Sequence, residues 1–498
     1  MLPMLPTLPT ALRIRHLTPL LVALAATGAQ AQDDFFAGAR ALAMAGSNTA
    51  CVDDYTAQYY NPAAFGFFAD RDHDGNRYAS DNNDIGAKRW GFGVDVSAGE
   101  VIQGDMAQYI DLLSTVPFDD LGNQGAVTAA NVENLVKVAQ GLQGIGNPQN
   151  GMTANATAGV GMRIGSFGLG FRSYFEATAR IYTLDLSDLS VGTGNINTQL
   201  ANSGVTGDGH ISLFTPAQQQ QLQQAGLNNT SIGILDYTGR QEGVNSGSAA
   251  GFASILAQIA AATDNGGGNL SNNDTAALVT GFGLAELPLS YGYALNSHLS
   301  IGANLKCMVG RVYDTTVQLF NSDTEQVLRS ARNNYQQSVN VGVDVGAMAR
   351  MRMLQVGLNF RNLNDPEFTG PTVNGVKFPD VHCAPQGTLG VAFMPFTSLV
   401  IESDCDLMKA DTTLQDYDTQ RLSGGIELTL LHFLALRAGC YKNLAESSGQ
   451  TVVTGGFGFD VGGVKLDLAG SRSVDEGDFN GHRYPLEANV AMSLLADF

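Results

Sequence analysis

The 498-residue chain is short of cations and has no cysteine pair at a motif spacing. It carries 27 Lys and Arg against 47 Asp and Glu, a formal net charge of −20. Phosphate binding rests on Lys and Arg, so nucleic acid is not an expected partner. The five cysteines are Cys51, Cys307, Cys383, Cys405 and Cys440, and none stands in a CxxC. That spacing excludes a thioredoxin-type redox motif and a zinc knuckle. No run of 18 apolar residues lies beyond the N-terminal segment, so no membrane-spanning helix is expected. Gly-x-Ser-x-Gly, HExxH and paired Cys/His sets are also missing. The chain is therefore expected not to be an enzyme and to hold no resident cofactor. A hydrolase built on a convergent triad stays the alternative, because such triads do not show in sequence.

What is present begins with an export signal. Arg13 and Arg15 precede the apolar run Leu17–Ala26, and Ala29-Gln30-Ala31 is a small-x-small cleavage site. Residues 1–31 read as a secretory signal peptide, and no Cys follows the site to make a lipoprotein. Without Arg13 and Arg15, 25 cations face 47 acids, a net charge of about −22. Export without a helical anchor leaves the periplasm, the outer membrane or the medium.

The strongest signal is a two-residue period. In Glu487–Phe498, Ala488, Val490, Met492, Leu494, Ala496 and Phe498 share one face, and the other face is mixed to polar. A transmembrane strand needs about 9–11 residues. The same period recurs at 89–99, 155–164, 167–181, 285–295, 299–312, 338–348, 354–361, 387–393, 399–407, 420–428, 433–441, 452–461 and 464–471. Short and long connections between these strands alternate throughout, which is the pattern of an outer-membrane barrel and not of a sandwich. The fold expected is all-β: a 14-stranded antiparallel transmembrane barrel over 85–498. Long loop insertions at 100–154 and 182–284 would lie outside the cell. Apolar residues at helical spacing place helices in those loops at Asn131–Gly144, Thr215–Gly226 and Ser248–Thr263.

The segment before the barrel, 32–84, carries a further pattern. Ala39-Arg40-x-x-x-Met44-x-Gly46, then Asp53-Asp54, then Asn61-Pro62-Ala63-Ala64, resembles the N-terminal segment of FadL-like outer-membrane transporters. It resembles still more closely a barrel family labelled conjugal transfer protein TraF-like. The thioredoxin-like TraF of conjugation is a different protein, as the missing CxxC shows. The resemblance implies an N-terminal plug inside a fourteen-stranded barrel. It covers Asn61, Pro62 and Ala63 residue for residue. A helix from Asp53 to Tyr60 would stop before Pro62. The plug or gate residues expected are Asp53, Asp54, Asn61, Pro62 and Ala63, with Asp53 and Asp54 pairing with lumen cations such as Arg421 or Arg437. The alternative is that these residues only shape a periplasmic turn.

Two charged sets remain. Asp70, Asp72 and Asp74 before Gly75 suit a weak calcium site, although the twelfth position is Asp81 in place of the usual Glu; a solvated acidic loop is the alternative. Strand alternation turns Lys306, Asp344, Glu402, Asp404, Asp406, Arg421, Glu427, Arg437, Lys465 and Asp467 into the lumen. They are either a salt-bridged interior or a charge-lined path. Such a lining departs from the mainly apolar binding sites of the FadL family. The function expected is a monomeric outer-membrane channel, gated by the plug, for passive uptake of a small, hydrophobic molecule. Its partners would be outer-membrane lipid, that ligand and the barrel assembly machinery. A non-transporting scaffold for assembly, secretion or conjugation is the alternative.

Overall fold

The alternating segments pair edge to edge, each with its neighbour in sequence, and the last pairs with the first. In the computed structural model, which describes residues 35–68, 90–117, 128–147, 149–183, 185, 195–263, 274–318, 334–373, 375–412, 417–431, 433–446, 449–479 and 482–497, this gives one closed antiparallel barrel. Its strands are β1 (Trp90–Gln103), β2 (Gly151–Ile164), β3 (Phe167–Thr183), β4 (Ala276–Ala294), β5 (Leu299–Gln318), β6 (Tyr335–Arg350) and β7 (Leu354–Arg361). The second half is β8 (Gln386–Phe396), β9 (Leu399–Asp406), β10 (Arg421–Leu430), β11 (Leu434–Asn443), β12 (Thr451–Val461), β13 (Val464–Ser473) and β14 (Glu487–Asp497). The seam is β1 on β14, in register from Gly91↔Asp497 to Val101↔Glu487. Closure leaves no strand edge unpaired, which a sheet in hydrocarbon requires.

The alternation also decides which solvent each face meets. Leu289 is 54% exposed beside Ser290 at 0%, and Leu305 is 56% exposed beside Asn304 at 2%. Large apolar side chains thus point out and polar ones point in, the reverse of a water-soluble barrel. Aromatic side chains ring the short-turn end on the outside: Trp90, Phe92, Phe167, Tyr291, Tyr293, Phe393, Phe396, Phe457 and Phe459 are all exposed. That is the girdle of a membrane interface. Among the described residues no helix is long and apolar enough to cross a membrane. The protein crosses by its strands, as a barrel of the bacterial outer membrane.

Some bounds differ from those expected. β4 begins at Ala276 and β5 runs to Gln318, so the insertion taken as 182–284 spans 184–275 between strands, and that taken as 100–154 spans 104–150. The extra strand ends lie above the membrane band. There Leu278, Phe282 and Leu284 face in and Ala277 and Val279 are covered on the other side, so no polar alternation marks them. The long loops carry six helices among the described residues: α4 (Met106–Ser114), α5 (Ala129–Ile145), α6 (Ile196–Asn202), α7 (Pro216–Gln224), α8 (Asn229–Gln241) and α9 (Ala249–Thr263), after three short ones before β1. They share an apolar core built around Leu135, Leu142, Leu235, Phe252 and Ile259. Buried Asp236 ties this cap together, accepting from the N–H groups of Leu213 (2.7 Å) and Phe214 (3.1 Å) and from Arg240 Nε (2.9 Å).

Candidate functional site

The first described stretch, 35–68, lies inside the barrel. Residues 35–68 contain three short helices, α1 (Ala39–Ala43), α2 (Ala57–Tyr60) and α3 (Ala64–Phe67). The small side chains of this Ala- and Gly-rich stretch let it run close to the wall, and inward-facing glycines of the wall meet it. A Cβ on Gly302 would lie 2.3 Å from the Pro62 carbonyl carbon, and one on Gly425 would lie 2.5 Å from Met44 O. Only glycine leaves room for backbone at those distances.

Polar contacts fix the segment along its length. Ala39 N donates to Ser493 Oγ (2.6 Å), Thr454 Oγ1 to Ala43 O (2.9 Å), Asn304 Nδ2 to Gln58 O (2.6 Å) and Ser300 Oγ to Ala63 O (2.6 Å). Two carboxylates of β9 hold the loop after α1. Asp404 Oδ2 accepts from Asn48 N (3.1 Å) and Thr49 N (3.0 Å), and Glu402 Oε1 accepts from Ala50 N (2.6 Å). The wall also anchors it by charge: Arg40 Nε donates to Glu427 Oε2 (2.8 Å), and Arg437 joins Glu427 and Asp467, each at 2.5 Å.

The gate residues read from sequence fall as follows. Asn61 is fully buried; its amide donates to Thr49 O (3.0 Å) and Ala347 O (3.1 Å), and its Oδ1 accepts from Ala63 N (3.0 Å). Pro62 follows and turns the chain from α2 into α3. The helix expected from Asp53 is only α2, starting at Ala57. For the acidic pair, the lumen cations that share a recess with Asp53 and Asp54 are Arg437 and Lys465. Asp53 pairs with Arg40 of its own segment at 3.4 Å, and buried Asp54 accepts from Thr56 N at 2.7 Å. Arg437 is engaged by Glu427 and Asp467, and the Arg421 guanidinium lies over the rings of Phe36 (4.9 Å) and Tyr441 (5.0 Å).

The remaining charges expected in the lumen also lie on inward positions. Lys306 meets Asp344 at 3.0 Å and Glu286 at 3.5 Å. Asp406 accepts from Thr388 Oγ1 (2.9 Å) and Arg421 N (2.8 Å). Lys465, with Asp53, Asp54 and Glu427, lines a recess of about 110 Å³ near the short turns. The calcium loop at Asp70, Asp72 and Asp74 lies outside the described residues, as do the signal peptide and Phe498. Sequence reading missed Arg172 on Asp95 (2.7 and 2.9 Å), the Tyr55 hydroxyl bonded to the same Asp95, and Arg163 on Asp497 (3.0 Å). For Asp95, Arg163, Arg172 and Asp497 the inward strand positions were the available signal; Tyr55, off the strands, gave none.

Space beside the segment is small. One recess of about 40 Å³ is lined by Phe35, Tyr59, Tyr174, Arg172, Lys306 and Arg361. Another of about 60 Å³ is lined by Phe36, Tyr60, Arg361, Asp404 and Arg421. Each has room for a few waters. The first reaches the wall at Phe171 and Pro288. There the β3–β4 ladder is interrupted between Leu169↔Leu289 and Arg172↔Glu286, since Pro288 has no N–H to give.

The model of the family described as "F plasmid transfer operon, TraF, protein" matches residues 58–406, from the segment's second helix into β9. The chain belongs to this TraF family. No curated protein matches it in sequence. Among solved structures it is similar to a Pseudomonas aeruginosa FadL homologue, at 10% identity and TM-score 0.46 over 95% of this chain and 100% of that one. It is similar also to the Ralstonia pickettii toluene transporter TbuX, at 12% identity and TM-score 0.44 over 93% and 98%. The Pseudomonas putida toluene transporter TodX gives 12% identity and TM-score 0.43 over 94% and 99%.

Proposed function

We propose that this protein is a gated outer-membrane channel for passive uptake of a small, hydrophobic molecule, working as a monomer, and that residues 35–68 are its plug. One observation carries the reading. The segment fills the lumen yet contributes no strand to the barrel. Its contacts are side-chain bonds and ion pairs to the inward face, so it can leave while every ladder bond of the barrel persists. The described recesses beside it, of about 40, 60 and 110 Å³, are each smaller than the roughly 150 Å³ cavity that holds a benzene, which supports reading this arrangement as the closed one. The rings of Phe35, Tyr59 and Tyr174 around the first recess offer a solute an aromatic surface among charges. The interruption at Pro288 brings that recess next to the bilayer.

The filled lumen and the conjugation-related description of the family favour a second reading, in which the barrel is a scaffold for envelope assembly or conjugation and nothing passes through it. Deleting residues 35–65 separates the two. For a plug, the truncated barrel inserts into liposomes, keeps its heat-modifiable migration, and swells them over a hydrophobicity series of solutes where the full chain does not. Unchanged permeability with an intact barrel overturns the channel and leaves the scaffold.

A further inference from the structure

We propose that the inner wall at Phe282 and Gly310 is an entry site for an apolar solute about the size of one phenyl ring, and that Phe368 of the loop between β7 and β8 fills it in the arrangement described. The inference rests on the channel reading. Phe368 is 0% exposed. Its ring centroid lies 4.9 Å from that of Phe282 on β4, with the planes inclined by 52°. Beside it β5 presents Gly310, where a Cβ would come within 2.2 Å of Phe368 Cδ1. The missing side chain leaves a ring-sized hollow in the wall, and the loop's own ring sits in it. Leu284, Met308 and Val312, from the same two strands, make the surroundings apolar. That sets this stretch apart from the charged inward positions on β9, β10 and β13.

The hollow lies next to the plug. In the β4–β5 ladder Leu284 faces Gly310, Glu286 faces Met308 and Pro288 faces Lys306, three successive inward rows toward the short turns. Glu286, Pro288 and Lys306 line the recess of about 40 Å³. Phe35 and Tyr174 belong both to that recess and to the apolar cluster around Phe368. Cys383, from the same loop as Phe368, lines the recess as well. A solute in the place of Phe368 is therefore held in one apolar cluster with the first described residue of the plug.

The ring that fills the site belongs to a detachable piece. The tip of the loop is folded on itself: Phe368 pairs with Val381, Cys383 N donates to Pro366 O (2.9 Å) and Phe378 N to Pro371 O (2.9 Å). Its stem is held to β6, where Leu363 N donates to Val343 O (2.9 Å) and Asn364 Nδ2 to Val341 O (2.6 Å). Asn362 and Asp365 bracket that stem with φ of 52° and 49°, a left-handed conformation that Asn and Asp tolerate. Beyond the stem the tip reaches the wall by Thr369 N on Ser338 Oγ (3.1 Å) and by the Asn340 amide on Glu367 O. Water can replace both bonds when the tip lifts, and the hollow then faces the lumen. A ring on a short tether acts at an effective concentration in the millimolar range. A free ring competes with Phe368 when it reaches that range.

The test uses the full chain in liposomes, with Cys51, Cys307, Cys405 and Cys440 replaced by Ser, and benzene as the probe. The remaining Cys383 is buried and moves with the tip. Its labelling by a membrane-impermeant methanethiosulfonate reads lifting of the loop without reference to transport. In the parent the rate is slow, rises with benzene and levels off, with a midpoint in the millimolar range. Phe368→Ala labels at least tenfold faster without benzene. Gly310→Val fills the hollow, so it labels fast and does not respond to benzene. Heat-modifiable migration checks that this barrel is intact; if it does not insert, the parent titration and Phe368→Ala decide. A parent rate that benzene leaves unchanged, or raises without levelling off, overturns the site. So does a Phe368→Ala rate equal to the parent's, or a benzene response that persists in Gly310→Val. If the saturable response is present but the barrel lacking residues 35–65 leaves liposomes impermeable, the site stands and the channel reading falls.

Discussion

On the proposed reading of residues 35–68 as a plug, Arg40 is the cation by which that segment holds the barrel wall, and its removal has a calculable effect. Its side chain is 11% exposed and that of Glu427 12%, with Nε and Oε2 2.8 Å apart. Nη1 adds bonds to Asn48 Oδ1 at 2.9 Å and Cys51 O at 3.3 Å, bracing the loop that β9 holds. Breaking a buried pair on one side costs about 3–5 kcal/mol. Glu427 keeps Arg437 at 2.5 Å, so the lower end applies. About 3 kcal/mol shifts the docked-to-open ratio of the plug about a hundredfold in Arg40→Gln. Asp53→Asn removes the other partner of Arg40, but that pair is 3.4 Å long and the Asp53 side chain is 36% exposed. Its loss costs under about 1 kcal/mol, less than tenfold. Single-channel open probability in planar bilayers reads both variants on one scale. Equal shifts for the two, or no shift for Arg40→Gln in an intact barrel, would refute the assignment of Arg40 as the anchor.

Three further outcomes follow from the geometry. Leu305→Arg, on the lipid face midway along β5, should cost about 2–4 kcal/mol in a denaturant titration of the barrel in lipid, and Leu305→Ala far less; equal costs would mean the strand is not in hydrocarbon. Gly302→Val should displace the plug and not the barrel, because its side chain would meet Pro62 within 2.3 Å of its carbonyl carbon; conductance should rise while heat-modifiable migration is unchanged, and a closed channel would contradict it. Asp236→Ala leaves the N–H groups of Leu213 and Phe214 and Arg240 Nε without their acceptor, so limited proteolysis should cut within residues 195–263 at least tenfold faster with the barrel intact, and uniform cleavage across the chain would count against an independent cap.

The strands were legible because one face of each meets lipid and the other does not, which writes a two-residue period into the sequence. Where both faces are covered by protein, as at Ala276–Leu284, the period vanishes and the reading started β4 too late. Three of the six cap helices showed as apolar residues at helical spacing. α4, α6 and α8 were missed: Gly233 and Gly239 interrupt α8, α4 has only nine residues and α6 only seven. The inward charges were placed by alternation, but their pairing was not, since it depends on which strands face each other across the lumen. Asp53 shows this. Nothing near it in sequence distinguishes Arg40, thirteen positions before it, from Arg421 or Arg437 far downstream; the fold back of the chain at Gly46–Cys51 decides.

The bonds of residues 35–68 also bear on the order of events in assembly. Ala39 bonds Ser493, 454 positions away, so the first described helix is tied to the last strand of the chain. The next loop is tied to β9 and the stretch before Pro62 to β5 and β6. Contacts of such sequence separation form late and slowly. The β1–β14 seam completes the lumen. A segment that settles among the growing strands before that seam forms gives the final strand a mould on which to register, whereas a barrel that closes first has to take the segment up afterwards. Segment docking before closure would show as faster closure in the full chain than in one lacking residues 35–65.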